Sequence, residues 1–374
     1  MDVSFDFKSR RARVWGSATQ AVESLPATTT DMEAGFLVSN PVNVRYLSGF
    51  TGSNGFLAFD ASGCTLLTDG RYTTQAATEC PDLSVRIRPL ESSMLELIAE
   101  TLRDSPSGAW LIESSHVSRE FHRDLAGAIE KNQLLDSKLI VENLRQRKDE
   151  QEILLIRKSI EINQAAAIAT LKSFESSWSE KQFSWELERN IRELGGDGFS
   201  FAPIVAAGPS SAMPHYRPSG NPCNSYGFML LDWGSNFHGY ASDITRMVAF
   251  AEIPDSIKQI HSVVADAKQA AIEAVKDGAD LKDVDTAARG LIKAAGFGDQ
   301  FNHGLGHGFG LEIHESPFIS PAFDGQLSSG MVITIEPGIY LPEIGGVRLE
   351  DDILVTDDGC VVLNDLSNDF FQAG

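Results

Sequence analysis

The chain has 374 residues, 42% of them apolar, and a formal net charge of −21. That length exceeds what one hydrophobic core usually serves, so two domains are expected, and the acidity argues against nucleic acid or an anionic membrane as a partner. The cysteines Cys64, Cys80, Cys223 and Cys360 are widely spaced with no Cys-x-x-Cys pair, a pattern of reduced thiols rather than of a disulfide framework or structural zinc. No uncharged apolar run reaches the ~18 residues a membrane helix needs, and the first residues lack an apolar leader segment. A cytoplasmic protein is expected.

Taken in order, residues 7–25 read as a helix with Arg10, Arg11 and Arg13 on its solvent side. Runs at 34–38, 56–59, 64–67 and 85–87 predict short strands, with turns at Asn40-Pro41, 60–63 and Asp69-Gly70. Helical periodicity at 90–103 and 118–131 flanks a strand at 110–113. This α/β pattern makes one small domain, residues 1–142. Arg71, in an Asp-Gly-Arg-Tyr turn, reads as a structural ion pair, with a substrate contact as the other reading.

A charged connector, 144–152, then runs into a long helix through about residue 174, whose apolar side is Ile153, Leu154, Ile156, Ile160 and Ile162. The second domain is taken as residues 143–374. Further helices are read at 178–194, ended by Gly195-Gly196, and at 254–276 and 281–295. Periodicity alone shows a mixed α+β domain here.

Chemistry concentrates in that second domain. Met-Leu-Leu-Asp232-Trp-Gly-Ser-Asn-Phe-His-Gly-Tyr-Ala-Ser-Asp243-Ile-Thr-Arg reads as a hairpin, two apolar runs about a Gly/Asn-containing turn. Folded symmetrically about Phe237 and His238, it makes Asp232 and Asp243 cross-strand partners with Cβ atoms roughly 5 Å apart. Two carboxylates so close repel each other unless something positive lies between them. A solvated hairpin would need no cation, but both aspartates sit among Leu230, Leu231, Trp233, Ile244 and Met247.

Downstream, His303-Gly-Leu-Gly-His307-Gly-Phe-Gly-Leu-Glu-Ile-His314 alternates histidines with glycines. Each glycine would cost a helix about 1 kcal/mol, so an extended segment that lets backbone approach closely is expected. The strand at 332–336 ends on Glu336 before Pro337. Gly345-Gly-Val-Arg348-Leu-Glu350 starts another, with Arg348 and Glu350 on one face. Two aspartates, a histidine and two glutamates make an oxygen-rich donor set suited to Mn²⁺ or a similar divalent ion.

In their flanking contexts, Asp232, Asp243, His307, Glu336 and Glu350 resemble the five metal ligands of the pita-bread metallopeptidases, and most of all the Xaa-Pro peptidases, aminopeptidase P and prolidase. The stretches 43–55 and 68–72 resemble the creatinase-type N-terminal domain. The resemblance implies a pita-bread catalytic domain behind a smaller creatinase-like α/β domain, a homodimer, and proline-containing peptides as substrates. It further implies two divalent ions per chain, Mn²⁺ with Co²⁺ or Zn²⁺ as alternatives. Asp243 and Glu350 would bridge them, Asp232 would complete one sphere, and His307 with Glu336 the other. Glu336 would also shuttle the proton to the leaving amine. His215 and His314 would hydrogen-bond the substrate, Arg348 would orient a ligand carboxylate, and His303 flanks the site, with a purely backbone-bonded role as its alternative. Release of the N-terminal residue from Xaa-Pro-Yaa is preferred over prolidase action on the similarity of 50–55 and 68–72 to the aminopeptidase P branch. Prolidase stays open, because Arg217 or Arg71 could grip a free carboxylate. A metal-free creatinase-like hydrolase and a non-catalytic binding module are the readings from other classes. Both conflict with a complete ligand set.

Overall fold

The computed structural model describes residues 5–23, 33–129 and 133–373. The sequence readings at 24–25 and 130–131 lie outside these. The chain divides into two compact units, residues 1–145 and 146–374.

In the first unit the described elements are α1 (Phe7–Glu23), β1 (Ala34–Val38), α2 (Pro41–Ser48), β2 (Gly55–Asp60), β3 (Gly63–Asp69), α3 (Thr73–Glu79), β4 (Ser84–Arg88), α4 (Met94–Asp104), β5 (Ala109–Glu113), α5 (Arg119–Ile129), β6 (Gln133–Ser137) and α6 (Ile140–Arg145). The strands form a mixed six-stranded sheet, ordered β4-β3-β2-β1-β5-β6. Leu37, Leu67 and Trp110 pack from it against Ile98 and Leu102 of α4 and Leu125 of α5.

Two local readings change. Asn40-Pro41 begins a helix rather than a turn. The Asn40 side chain accepts from the Val42 N–H at 2.9 Å, and proline is harmless in a first turn, whose N–H groups lack intrahelical partners. Arg10 and Arg11 face inward, at 2% and 8% exposure, whereas Arg13 is exposed. Their guanidinium groups donate to the Tyr46 and Leu47 carbonyls near the end of α2, at 3.1 and 3.0 Å. Arg10 also lies over the Phe5 and Tyr46 rings, and Arg11 pairs with Asp82. Helix-end carbonyls and ring faces stabilise a buried guanidinium, and spacing along α1 does not reveal either.

The second unit contains α7 (Glu150–Lys172), α8 (Glu180–Glu193), β7 (Gly198–Phe199), β8 (Ile204–Ala207), β9 (Phe228–Trp233), β10 (Ser235–Phe237), β11 (Tyr240–Ala241), β12 (Ile244–Ala249), α9 (Asp255–Ala274), α10 (Leu281–Ala294), β13 (Gly306–Gly308), β14 (Glu315–Ile319), β15 (Val332–Ile335), β16 (Gly338–Leu341), β17 (Gly345–Arg348), β18 (Asp351–Thr356), β19 (Gly359–Val362) and β20 (Phe371–Gln372). Its larger sheets run β20-β12-β9-β8 and β14-β13-β15-β18-β19. The core joins both sheets to α9 and α10 through Leu230, Met247, Ile260, Val284, Ile333 and Ile353. Asp149 starts α7 with a reciprocal cap to Glu152.

The hairpin turns one residue later than its symmetry suggested. Asp232 faces Thr245 and Trp233 faces Ile244, while Phe237 faces Tyr240. His238 and Gly239 therefore form the two-residue turn, with φ of 49° and 83°. Such turns need positive φ at both central positions, where glycine is unstrained and histidine is tolerated better than most. The two aspartates are consequently not direct cross-strand partners. The predicted strand after Gly345 is also two strands. β17 pairs with β16, and the chain crosses at Leu349 and Glu350 into β18, which pairs with β15. Leu349 is fully buried at this crossing, and the Glu350 N–H donates to the Thr245 carbonyl at 3.2 Å.

Candidate active site

Despite that shift in register, Asp232, Asp243, His307, Glu336 and Glu350 line one cavity of about 450 Å³, together with His215, His303, His314 and Arg348. Asp232 lies on β9 and Asp243 immediately before β12. His307 sits mid-β13, and Glu336 follows β15 where Pro337 stops it. Glycine is what lets β13 in. A Cβ at Gly306 would lie 2.0 Å from the Thr334 carbonyl oxygen, and one at Gly308 would lie 2.5 Å from that of Ser316. A bulge between His307 and Gly308 breaks the pairing with β14, a device that re-aims a side chain.

One donor atom each from Asp243, His307 and Glu350 come within 4.8 Å of one another. His307 Nε2 is 3.5 Å from Glu336 Oε1 and 3.7 Å from Asp243 Oδ2. Its Nδ1 is 3.1 Å from the Gly308 carbonyl oxygen, which only accepts, so Nδ1 carries the proton. Burial, with His314 nearby, pushes His307 down to about 3. The ring is therefore neutral, and its Nε2 lone pair faces carboxylate oxygens. Those carboxyls are themselves pushed up, first by burial and then by one another: Glu350 to about 8, Asp243 and Glu336 well above the carboxylate range. Asp232 Oδ1 is buried with no hydrogen-bond partner. Lone pairs converging on lone pairs, with an orphaned oxygen beside them, fit a divalent cation held by hard donors.

The surrounding residues fix these donors. Arg348 donates to Asp232 Oδ2 at 2.6 Å, to the Tyr340 hydroxyl at 2.8 Å and to Thr245 Oγ1 at 3.1 Å. Thr245 in turn donates to Glu350 Oε2 at 2.6 Å. Thr334 Oγ1 accepts the His307 N–H at 3.1 Å. His303 has both ring nitrogens engaged, Nδ1 with the Gly304 carbonyl at 2.7 Å and Nε2 with Tyr340 at 3.0 Å. Burial and Arg348 push it down to about 3, so it accepts the Tyr340 proton as a neutral ring. His215 and His314 are exposed side chains on the cavity wall, and the His314 ring meets that of His307 edge-on at 4.4 Å. Arg71 lies in the first unit and forks Asp69 at 2.9 and 2.8 Å.

Tyr340 and Thr245 were not read as site residues from the sequence. Thr245 carried a signal, since it stands two residues after Asp243, where a strand returns to the same face. Tyr340 carried none, because it is brought in by the β16–β17 hairpin.

Residues 155–357 match the family described as metallopeptidase family M24, and residues 32–147 match the creatinase/prolidase N-terminal domain. The chain belongs to metallopeptidase family M24. This M24 chain is thus a creatinase-type N-terminal domain followed by a pita-bread catalytic domain, and its cluster is a metal site of that family, with Asp243, His307 and Glu350 as candidate ligands. It is 36% identical over 325 residues to an uncharacterized peptidase of Bacillus subtilis, spanning 87% of this chain and 92% of the relative. Among solved structures it resembles an X-Pro aminopeptidase of Thermotoga maritima, at 34% identity and a TM-score of 0.85 over 91% of this chain and 98% of the other. It also resembles a Xaa-Pro dipeptidase of Bacillus anthracis, at 30% identity and a TM-score of 0.91 over 98% and 100%. No helix of the described residues is long and apolar enough to cross a membrane.

Proposed function

We propose that this M24 peptidase is a dinuclear-metal Xaa-Pro aminopeptidase, releasing the N-terminal residue from Xaa-Pro-Yaa peptides. The observation that carries the metal reading is the neutral His307, whose Nε2 lone pair faces Asp243 and Glu336 inside a buried group of carboxylates. Asp243, His307 and Glu350, with Asp232 and Glu336 beside them in the cavity, would hold the ions. Bound divalent ions supply Lewis acidity, which activates water near neutral pH and polarises the scissile carbonyl. Glu336 is the group to carry a proton from water to the leaving amine, since it borders the cavity and is the most exposed of the buried carboxyls whose charges oppose one another. His215 and His314 donate to the substrate carbonyl as it gains negative charge. Arg348 holds Asp232, and Tyr340, braced by His303, holds Arg348.

Proline selectivity follows from what the cavity offers a ring. An imide bond to proline has no N–H, so a site that reads that donor cannot select it. Here the cavity lining includes the apolar side chains of Phe201, Ile313, Phe318 and Phe323, surface on which a pyrrolidine ring would pack. Action on dipeptides is the second reading, favoured by Arg217, a cation lining the same cavity.

Chelation should abolish hydrolysis of Ala-Pro-Gly and Mn²⁺ or Co²⁺ should restore it, with Ala-Ala-Gly at least tenfold poorer in kcat/KM. Undiminished turnover under chelator would overturn the metal reading. Equal cleavage of Ala-Ala-Gly would make the enzyme a general aminopeptidase. A strong preference for Ala-Pro over Ala-Pro-Gly would favour the dipeptidase.

A further inference from the structure

Glu180, in the first turn of α8, is a fully buried carboxylate that does not line the metal-site cavity. Four donors converge on it, all of them neutral. Its Oε1 accepts the Ala207 N–H at 2.9 Å. Its Oε2 accepts the Tyr216 hydroxyl at 2.9 Å and the N–H and hydroxyl of Ser219 at 2.8 and 2.7 Å. A glutamate is rarely buried so completely without a counter-charge, although the start of a helix favours a negative group. The four bonds share a destination. Ala207 ends β8 just before the loop that carries His215, and Tyr216 and Ser219 lie on the far side of that histidine. One side chain thus holds both ends of the loop.

The loop depends on that grip. Its first half is tied elsewhere as well, since the Gly346 N–H of β17 donates to Ser211 Oγ at 2.7 Å. For residues 212–218 the one hydrogen bond, among the described residues, to anything outside 208–221 runs from the Tyr216 hydroxyl to Glu180. Beyond it the chain closes back on α8. The Glu180 and Lys181 N–H groups donate to the Asn221 and Ser219 carbonyls at 2.9 and 3.1 Å, which occupies first-turn donors that have no partner within a helix. Tyr216 is drawn inward and packs on the core, while its neighbour His215 is exposed at the cavity. Fixing the Tyr216 side chain fixes the backbone from which His215 projects, and Pro214 stiffens the chain on the other side.

We propose that Glu180 is a positioning residue for the reaction: acting through Tyr216, it sets the place of His215 at the cavity without touching substrate. This rests on the Xaa-Pro peptidase reading, in which His215 donates to the substrate carbonyl. Glutamine cannot take over the task. The Ala207 and Ser219 N–H groups approach different oxygens, and an amide has only one, so in either orientation one backbone N–H meets an NH₂ group.

The test is the kinetics of Ala-Pro-Gly hydrolysis by the full chain loaded with Mn²⁺, with metal content measured in parallel. Glu180→Gln should keep its metal and lose roughly 10- to 100-fold in kcat, the scale of about 1 Å of misplacement, with KM changed far less. Tyr216→Phe keeps the packing and removes only the hydroxyl, so it should lose about fivefold, as one hydrogen bond would give. It carries the test if Glu180→Gln does not fold. The deciding comparison is made in His215→Ala, where either substitution should cost less than about twofold, because residues that act through one another are not additive. A merely structural role would lower kcat whatever residue stands at 215. An equal cost in both backgrounds, or wild-type kcat in either folded variant, would therefore overturn the proposal. If no Xaa-Pro bond were cleaved, the peptidase reading would fail separately. The His215 ring signal in NMR spectra of the metal-free full chain, assigned by its loss in His215→Ala, would still decide. It should move in Glu180→Gln and Tyr216→Phe while that of His261, stacked on Phe370, stays in place, and an unmoved His215 signal would overturn the role of Glu180.

Discussion

Two buried charge clusters lie one residue apart in this fold and are built on opposite principles. Around Glu350, carboxylates face each other and a neutral histidine. Asp351, by contrast, is answered by two buried cations. Arg246, fully buried, donates to Asp351 at 2.6 Å, to the Glu350 and Thr245 carbonyls at 2.5 and 3.0 Å, and to the Leu366 and Ser367 carbonyls at 2.8 Å each. Lys268 of α9 also meets Asp351, and Asn364 donates to it at 2.8 Å. Burial alone would push Asp351 up, but Arg246 and Lys268 outweigh it and hold the carboxyl below its ordinary range. Arg246 and Lys268 thus neutralise Asp351 from within the fold, and Arg246 ties down the tail at Leu366 and Ser367. In the first cluster, four carboxylates share one buried cation, Arg348, which pairs with Asp232, and a cation from outside would relieve the rest. Burial of a carboxylate therefore does not by itself mark a metal site; Asp243 and Glu350 stand out because further carboxylates and a neutral histidine converge on them.

The same chemical change should consequently have opposite signs in the two clusters. Asp351→Asn leaves Arg246 and Lys268 buried against a neutral group, and we expect a loss of about 3–5 kcal/mol in urea unfolding at pH 7 with chelator present. Asp243→Asn removes repulsion instead, so the metal-free variant should be no less stable than metal-free wild type. Mn²⁺ at about 100 times its Kd should stabilise wild type by about 2.7 kcal/mol and this variant far less. Comparable destabilisation by both substitutions would erase the distinction.

A smaller effect should come from the cavity wall, which belongs to neither cluster. His215→Ala and His314→Ala are expected to fold, to retain metal by elemental analysis and to lose roughly 10²- to 10³-fold in kcat. Loss of metal in either would make that histidine a ligand.

The smallest expected signal is a count of protons. Glu350 is pushed up to about 8 by burial and then by Asp232, so in metal-free protein it holds a proton at pH 7 that a cation must displace. Metal binding should release protons at pH 7, seen as buffer-dependent heats in calorimetry. The release should fall as pH rises past about 8, and apparent affinity should weaken as pH drops. Heats that did not vary with buffer would mean that the carboxylates are already ionised.

Much of this was legible in the chain itself. Gly306 and Gly308 beside His307 announced close backbone approach, and the Cβ clashes at both show why no other residue fits. Pro337 ended the strand before Glu336, and the alternating apolar runs around Asp232 and Asp243 declared a hairpin. Residue type and spacing determine such features because sterics and backbone geometry act within a few residues. Register, partnership and burial of charge were decided only by the tertiary structure. The turn at His238-Gly239 separated Asp232 from Asp243 as partners, although the fold still gathers both at one cavity. Arg10 is buried because carbonyls and rings 36 residues away receive it. Tyr340 joins the site through a hairpin, and Arg246 and Asp351 are satisfied by a tail about 120 residues further along than Arg246. Charges are neutralised by whatever lies within a few ångströms in space, and distance along the chain carries almost none of that information.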